Sequence, residues 1–174
     1  MASTPNERTI HRPISGGCLC GAVRYRINFP VGSRWPPDCR KWTGALVLHL
    51  IAVKESQIDW SGATASSASQ TPFTEYNSSP GCFRGFCSTC GSTLFWRSDD
   101  EKPSIEVCTG TVDEKWLLGE RESESSMARI GGMGKELATP SHGMNWYQNV
   151  IEGVTDGIVG GTRYVETQKL GQIM

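Results

Sequence analysis

No stretch of this 174-residue chain is both long and apolar. The longest apolar run, ALVLHLIAV at 45–53, is interrupted by His49 and falls far short of the roughly 20 residues a bilayer span requires. The opening MASTPNERTIHRP has no apolar core, so no secretory signal is expected. A charge excess is missing as well. Seventeen Lys and Arg against 18 Asp and Glu leave a formal charge of −1, which gives no bulk attraction to nucleic acid or to an acidic membrane. The expected partner is a small molecule, with neither nucleic acid nor membrane, and the expected location is cytoplasmic. Long amphipathic helices are also lacking. Twenty glycines, nine prolines and many Ser and Thr point instead to short strands and tight turns.

What the chain does have is seven cysteines. In a reducing compartment an odd number of thiols is not a disulfide framework, and metal binding becomes the leading account of those that cluster. The length suits one domain with a real core, expected over 14–166 between tails at 1–13 and 167–174.

Strand signals recur along that domain. In GAVRYRINF, Val23, Tyr25 and Ile27 alternate with Arg24, Arg26 and Asn28, the period of two of a half-buried strand. The 45–53 run reads as a buried strand, QIDW and FTEYNS as two short ones, and STLFWRS with SIEVCTGTV as a pair joined by DDEKP. DEKWLLGE predicts a helical turn ending near Gly119, residues 120–143 a loop, and MNWYQNVIEG a short helix stopped by Gly153.

Four cysteines fall in two glycine-bracketed pairs, GGCLCGAV with Cys18 and Cys20, and GFCSTCGSTLFW with Cys87 and Cys90. Two residues separate the second pair, and Gly91 lets the backbone curl around the sulfurs. The first pair has one residue between its thiols, with flanking glycines for the same purpose. Each pair runs straight into a strand. Two such turns at neighbouring strand starts would converge on one ion and close a four-thiolate site. Zinc is the natural occupant, and iron suits four thiolates as well. A closed site has no open position and would stabilise the fold without performing chemistry.

The remaining thiols and histidines carry weaker signals. Cys108 lies in a strand beside Ile and Val and reads as core. Cys82 sits next to a turn without a chelating partner. His11 lies in the tail, His49 in an apolar run, and His142 in a loop from which it can reach a site.

Three motifs together resemble the glutathione-dependent formaldehyde-activating enzyme family, which includes centromere protein V: GGCLCGAVRYR, CRKWTGAL and RGFCSTCGSTLFW. NVIEGVTDG is similar to the fungal members. The resemblance implies a mainly β, β-tent, zinc-ribbon-like fold of short antiparallel strands, with Cys18, Cys20, Cys87 and Cys90 on one structural zinc. It also implies carbon–sulfur lyase or synthase chemistry on a glutathione–aldehyde adduct. In the family a second, catalytic zinc takes three thiolates spaced Cys-x-Cys-x-x-Cys. The last of these matches Cys39; the other two positions hold Arg34 and Pro36, which cannot ligate. The chain reads as if a short segment before Cys39 were absent.

Cys39 is therefore the candidate catalytic residue, as a metal-free nucleophile beside Arg40 and Lys41, whose charges favour a thiolate. A second ion would need other ligands, such as Asp38, His142 or Cys82. Arg40 and Lys41 suit the carboxylates of glutathione. Two alternatives stand beside this reading. One is a tailoring enzyme of secondary metabolism that works without the second zinc, with Trp35, Trp42 and Trp96 lining its pocket. The other is a non-catalytic, zinc-stapled binding module.

Overall fold

The computed structural model describes residues 13–28, 40–62, 72–101, 103–139, 144, 147–157 and 162–164. Among the described residues the strands pair into three antiparallel sheets. Strands β1 (Ile14–Gly17), β2 (Val23–Ile27) and β4 (Ile58–Gly62) form the first, in the order β1-β2-β4. Strands β3 (Leu50–Lys54), β5 (Phe73–Ser79), β6 (Cys82–Cys87), β7 (Thr93–Ser98) and β8 (Ser104–Cys108) form the second, in the order β3-β8-β7-β6-β5. β9 (Gly119–Arg121) and β10 (Arg129–Gly131) make a small hairpin. Three helices of four or five residues complete the named elements: α1 (Arg40–Thr43), α2 (Glu114–Leu117) and α3 (Gly134–Ala138). The fold is mainly β, and among the described residues no helix is long and apolar enough to cross a membrane.

The core lies between the two larger sheets. Val23, Tyr25 and Ile27 from β2 meet Ile51, Val53, Phe95, Ile105 and Val107 from the five-stranded sheet in one buried cluster. Each such side chain contributes roughly 1.5–3 kcal/mol by leaving water. Aromatic rings tie the layers: Trp60 of β4 lies 4.9 Å from Phe73 and 5.4 Å from Phe95, which stack on each other at 5.3 Å. The inner face of β8 is thus Ile105 and Val107. Glu106 and Cys108 turn to the opposite, outer face.

Three sequence expectations change. The 45–53 run becomes a strand only from Leu50. Leu46 is exposed, and Leu48 turns into a second, smaller cluster, so the apolar composition of this run overstates both its pairing and its burial. Residues 120–143 are not simply loop, since they hold most of the β9–β10 hairpin and α3, which buries Leu137. The expected helix at 144–153 shrinks to one 3-10 turn at Tyr147–Asn149. Its backbone bonds go elsewhere: the N–H groups of Met144 and Tyr147 donate to the carbonyls of Thr162 and Tyr164.

Candidate metal centre and second sheet face

The two cysteine pairs sit where β1 turns into β2 and β6 into β7. Both turns are closed by backbone bonds. Gly21 N–H donates to Cys18 O at 3.1 Å, and Cys18 N–H to Val23 O at 3.0 Å. In the other turn, Gly91 N–H donates to Cys87 O at 2.8 Å, and Cys87 N–H to Ser92 O at 3.0 Å. Gly21 and Gly91 follow the second thiol of each pair with φ of 79° and 74°, the left-handed backbone that a side chain would strain.

The four sulfurs converge. All lie within 4.8 Å of one another, with Cys18 to Cys20 at 3.4 Å and Cys20 to Cys87 at 3.8 Å. Tetrahedral zinc at about 2.3 Å from each thiolate places sulfurs about 3.8 Å apart, so this donor set fits the ion. Cys18 and Cys87 are buried, Cys90 is half-buried and Cys20 is exposed.

The electrostatics point the same way. Ser92, through its hydroxyl and then its N–H, lowers Cys90 to about 5. Burial opposes ionisation of Cys18, but the N–H of Val23 at 3.2 Å and the bonds to Cys20 and Cys87 bring it below the usual thiol range. Cys20 goes the other way. The N–H of Ala22 favours its thiolate, yet Cys18, desolvation, Cys90 and Cys87 together push it up to about 12. Four thiols this close cannot all ionise without a cation between them, and a divalent ion resolves the conflict.

The outer face of the five-stranded sheet is a different environment. Tyr76, Arg84, Trp96, Glu106 and Ala52 are register partners in one row across β5, β6, β7, β8 and β3, and so share a face. Glu106 is only 8% exposed. Trp42 of α1 lies against this face, packing with Leu48, Leu50 and Cys108, and the Arg84 guanidinium stands 5.1 Å from the centre of its ring. Burial, and then the charge of Glu106, push Cys108 up to about 12, so it remains a neutral thiol.

The family model for the glutathione-dependent formaldehyde-activating enzyme matches residues 13–128, a span that holds both cysteine turns, α1 and the row on the outer face. The chain belongs to this family. No curated protein matches the chain. A crystal structure of a Rhodobacter sphaeroides protein is similar at 20% identity and a TM-score of 0.44, covering 57% of this chain and 88% of that one.

Seen as a member of the glutathione-dependent formaldehyde-activating enzyme family, the chain brings together Cys18, Cys20, Cys87 and Cys90 of the residues singled out from sequence. Cys39, Arg34, Trp35, Pro36, Asp38, His11 and His142 lie outside the described residues. Cys82 opens β6 opposite Ser98, away from the thiol cluster, and His49 is half-buried just before β3. Cys108 is buried, but with Trp42, Leu48 and Leu50 rather than with its Ile and Val neighbours. Arg40 is committed to the backbone, donating to the carbonyls of Leu46 and Asn149. Sequence reasoning passed over Arg84 and Glu106. The signal was present in SIEVC: a charged residue in the middle of a buried strand, on the same face as a cysteine two residues on.

Proposed function

We propose that this protein is a zinc-stapled enzyme of carbon–sulfur chemistry, joining an aldehyde to the thiol of glutathione or a related small molecule, or cleaving the adduct. The match to the family over residues 13–128 carries the reading. Cys18, Cys20, Cys87 and Cys90 would hold one zinc ion, whose filled coordination stabilises the fold and leaves the chemistry to other groups.

In the forward direction the thiol sulfur adds to the carbonyl carbon. A carbon–sulfur bond forms, the carbonyl π bond breaks, and the thiol proton ends on the former carbonyl oxygen. Because Arg34 and Pro36 stand where two further ligands would be needed, no metal-bound step is assigned. Cys39 is the reactive group in this reading. Its thiolate adds to the carbonyl carbon, and the alkoxide formed takes a proton from water, holding the aldehyde as a hemithioacetal. On collapse that proton is returned, the Cys39 carbon–sulfur bond breaks to regenerate thiolate and carbonyl, and the acceptor thiol adds to the carbonyl as above.

The test is the exchange rate between formaldehyde plus glutathione and their adduct, read by two-dimensional exchange NMR. The zinc-loaded chain is expected to accelerate exchange above the uncatalysed rate. Cys39→Ala should lower the acceleration about a hundredfold while leaving the melting temperature within about 2 °C. Absence of acceleration with formaldehyde and with larger aldehydes would exclude this function. Full activity in Cys39→Ala would remove that residue from it.

A further inference from the structure

The four sulfurs of the metal centre are not equally covered. Cys18 and Cys87 are 4% and 0% exposed and Cys90 is half-buried, whereas Cys20 is exposed. The tip of its turn stands open to solvent: Leu19 is 90% exposed, and a Cβ at Gly21 would meet nothing within 4 Å. Cys90, the next most accessible, has its Sγ 3.2 Å from the Ser92 hydroxyl, and a thiolate stabilised by hydrogen bonds is intrinsically less nucleophilic. Cys18 Sγ lies 3.4 Å from Cys20 Sγ, nearer than Cys87 Sγ at 3.8 Å. A metal-held cysteine stays ionised, so an exposed one meets an oxidant as a ready nucleophile, with a second thiolate already beside it.

We propose that Cys20 is an oxidation site for peroxides and that Cys18 resolves it, which makes the metal centre a reversible redox switch on the fold. Cys20 Sγ attacks one peroxide oxygen. A sulfur–oxygen bond forms, the oxygen–oxygen bond breaks, and hydroxide leaves. The sulfur loses two electrons, the peroxide gains them, and Cys20 becomes a sulfenic acid. The Cys18 thiolate then attacks the Cys20 sulfur, the sulfur–oxygen bond breaks, and a second hydroxide leaves. Two thiolates and one hydrogen peroxide thus give one disulfide and two hydroxides. Cys87 and Cys90 remain, two donors where a closed site takes four, and the ion is released. The proposal rests on the zinc reading of the four sulfurs and not on the aldehyde chemistry.

The test treats the zinc-loaded full chain with equimolar hydrogen peroxide. A weak chromophoric zinc indicator follows the metal, and differential alkylation with peptide mass spectrometry assigns the oxidised sulfurs. Zinc should appear in step with the loss of alkylatable Cys18 and Cys20, joined to each other within one tryptic peptide. Cys82 and Cys108 should stay alkylatable after denaturation. Dithiothreitol with added zinc should restore both the metal and the cooperative melting transition. This mapping requires no variant. Cys20→His keeps four donors of kinds that zinc accepts and should slow the peroxide-driven release about tenfold. Oxidation at Cys39 or Cys82 with the zinc retained overturns the proposal. So does equal attack on all four ligands, or a sulfinic acid at Cys20 that dithiothreitol does not reverse. A disulfide from Cys20 to Cys87 keeps the oxidation site and overturns Cys18 as its partner. A chain without zinc before peroxide is added defeats the metal reading itself, whereas zinc present and Cys20 spared defeats this proposal alone.

Discussion

The hydroxyl of Ser92 accepts the N–H of Leu19 at 2.9 Å and reaches Cys90 Sγ at 3.2 Å, while its carbonyl accepts the N–H of Cys87 at 3.0 Å. One residue thus links the turn bearing Cys18 and Cys20 to the turn bearing Cys87 and Cys90, and it is the main reason Cys90 lies near 5. Partners that orient a ligand without touching the metal are worth about 10–100-fold in metal affinity. Ser92→Ala is therefore expected to leave the fold assembled with zinc bound, but to surrender the ion to a competing chelator about tenfold more readily. An unchanged competition curve would reduce Ser92 to a surface contact. Cys90→Ala removes a ligand outright, and soluble zinc-containing protein should not be recovered. Wild-type thermal stability and metal content in that variant would defeat the structural-zinc account.

The segment after β8 returns to the edge of the three-stranded sheet through one carboxylate. Asp113 receives Arg24 at 2.6 Å on both oxygens and the Ser15 hydroxyl at 2.6 Å, and Ser15 in turn accepts the Trp116 indole N–H at 3.0 Å. Burial works against its charge, but the bonds from Arg24 and Ser15 hold it below the ordinary carboxyl value of 3.8. A depressed carboxyl stabilises the fold above its unfolded value and loses that contribution as pH falls through the folded one. Asp113→Asn should thus cost about 1–2 kcal/mol in urea unfolding at pH 7. The difference from wild type should shrink once the pH drops below the folded value. A gap independent of pH would assign the effect to packing. On β6, a Cβ at Gly85 would stand 1.9 Å from Phe95 Cε1, inside the ring that crosses it from β7. Gly85→Ala should destabilise by about 1–3 kcal/mol, seen as a lower denaturant midpoint. Elements of this kind explain what sequence could and could not reveal. β2, β4, β5 and β7 announced themselves through alternation or β-rich composition. β6 did not, because glycine at an inner position erases the pattern that Phe95 fills from the neighbouring strand. β9 and β10 bury little, so hydrophobic periodicity had nothing to register.

At the scale of the molecule, two sheets meet over one core, and both cysteine turns lie at strand junctions, one in each sheet. That is why the metal centre was legible from spacing and glycine placement alone: each half is a local turn, and only their convergence needed the fold. The Arg84–Trp96–Glu106 row was not legible, since its members come from three strands and become neighbours only through register. The same geometry gives the metal a global role. The cysteine pairs join segments about 70 residues apart in the chain, a loop whose closure the unfolded state must supply. Binding energy at such a site is folding energy, on the order of 10 kcal/mol for structural zinc. That is comparable with the whole stability of a domain, 5–15 kcal/mol as a rough range. Elemental analysis should therefore find one zinc per chain, and a strong chelator should abolish the cooperative thermal transition. Restoring zinc under reducing conditions should bring it back. A chelated, metal-free chain that still melted cooperatively at the original temperature would mean that the sheets hold each other without the ion.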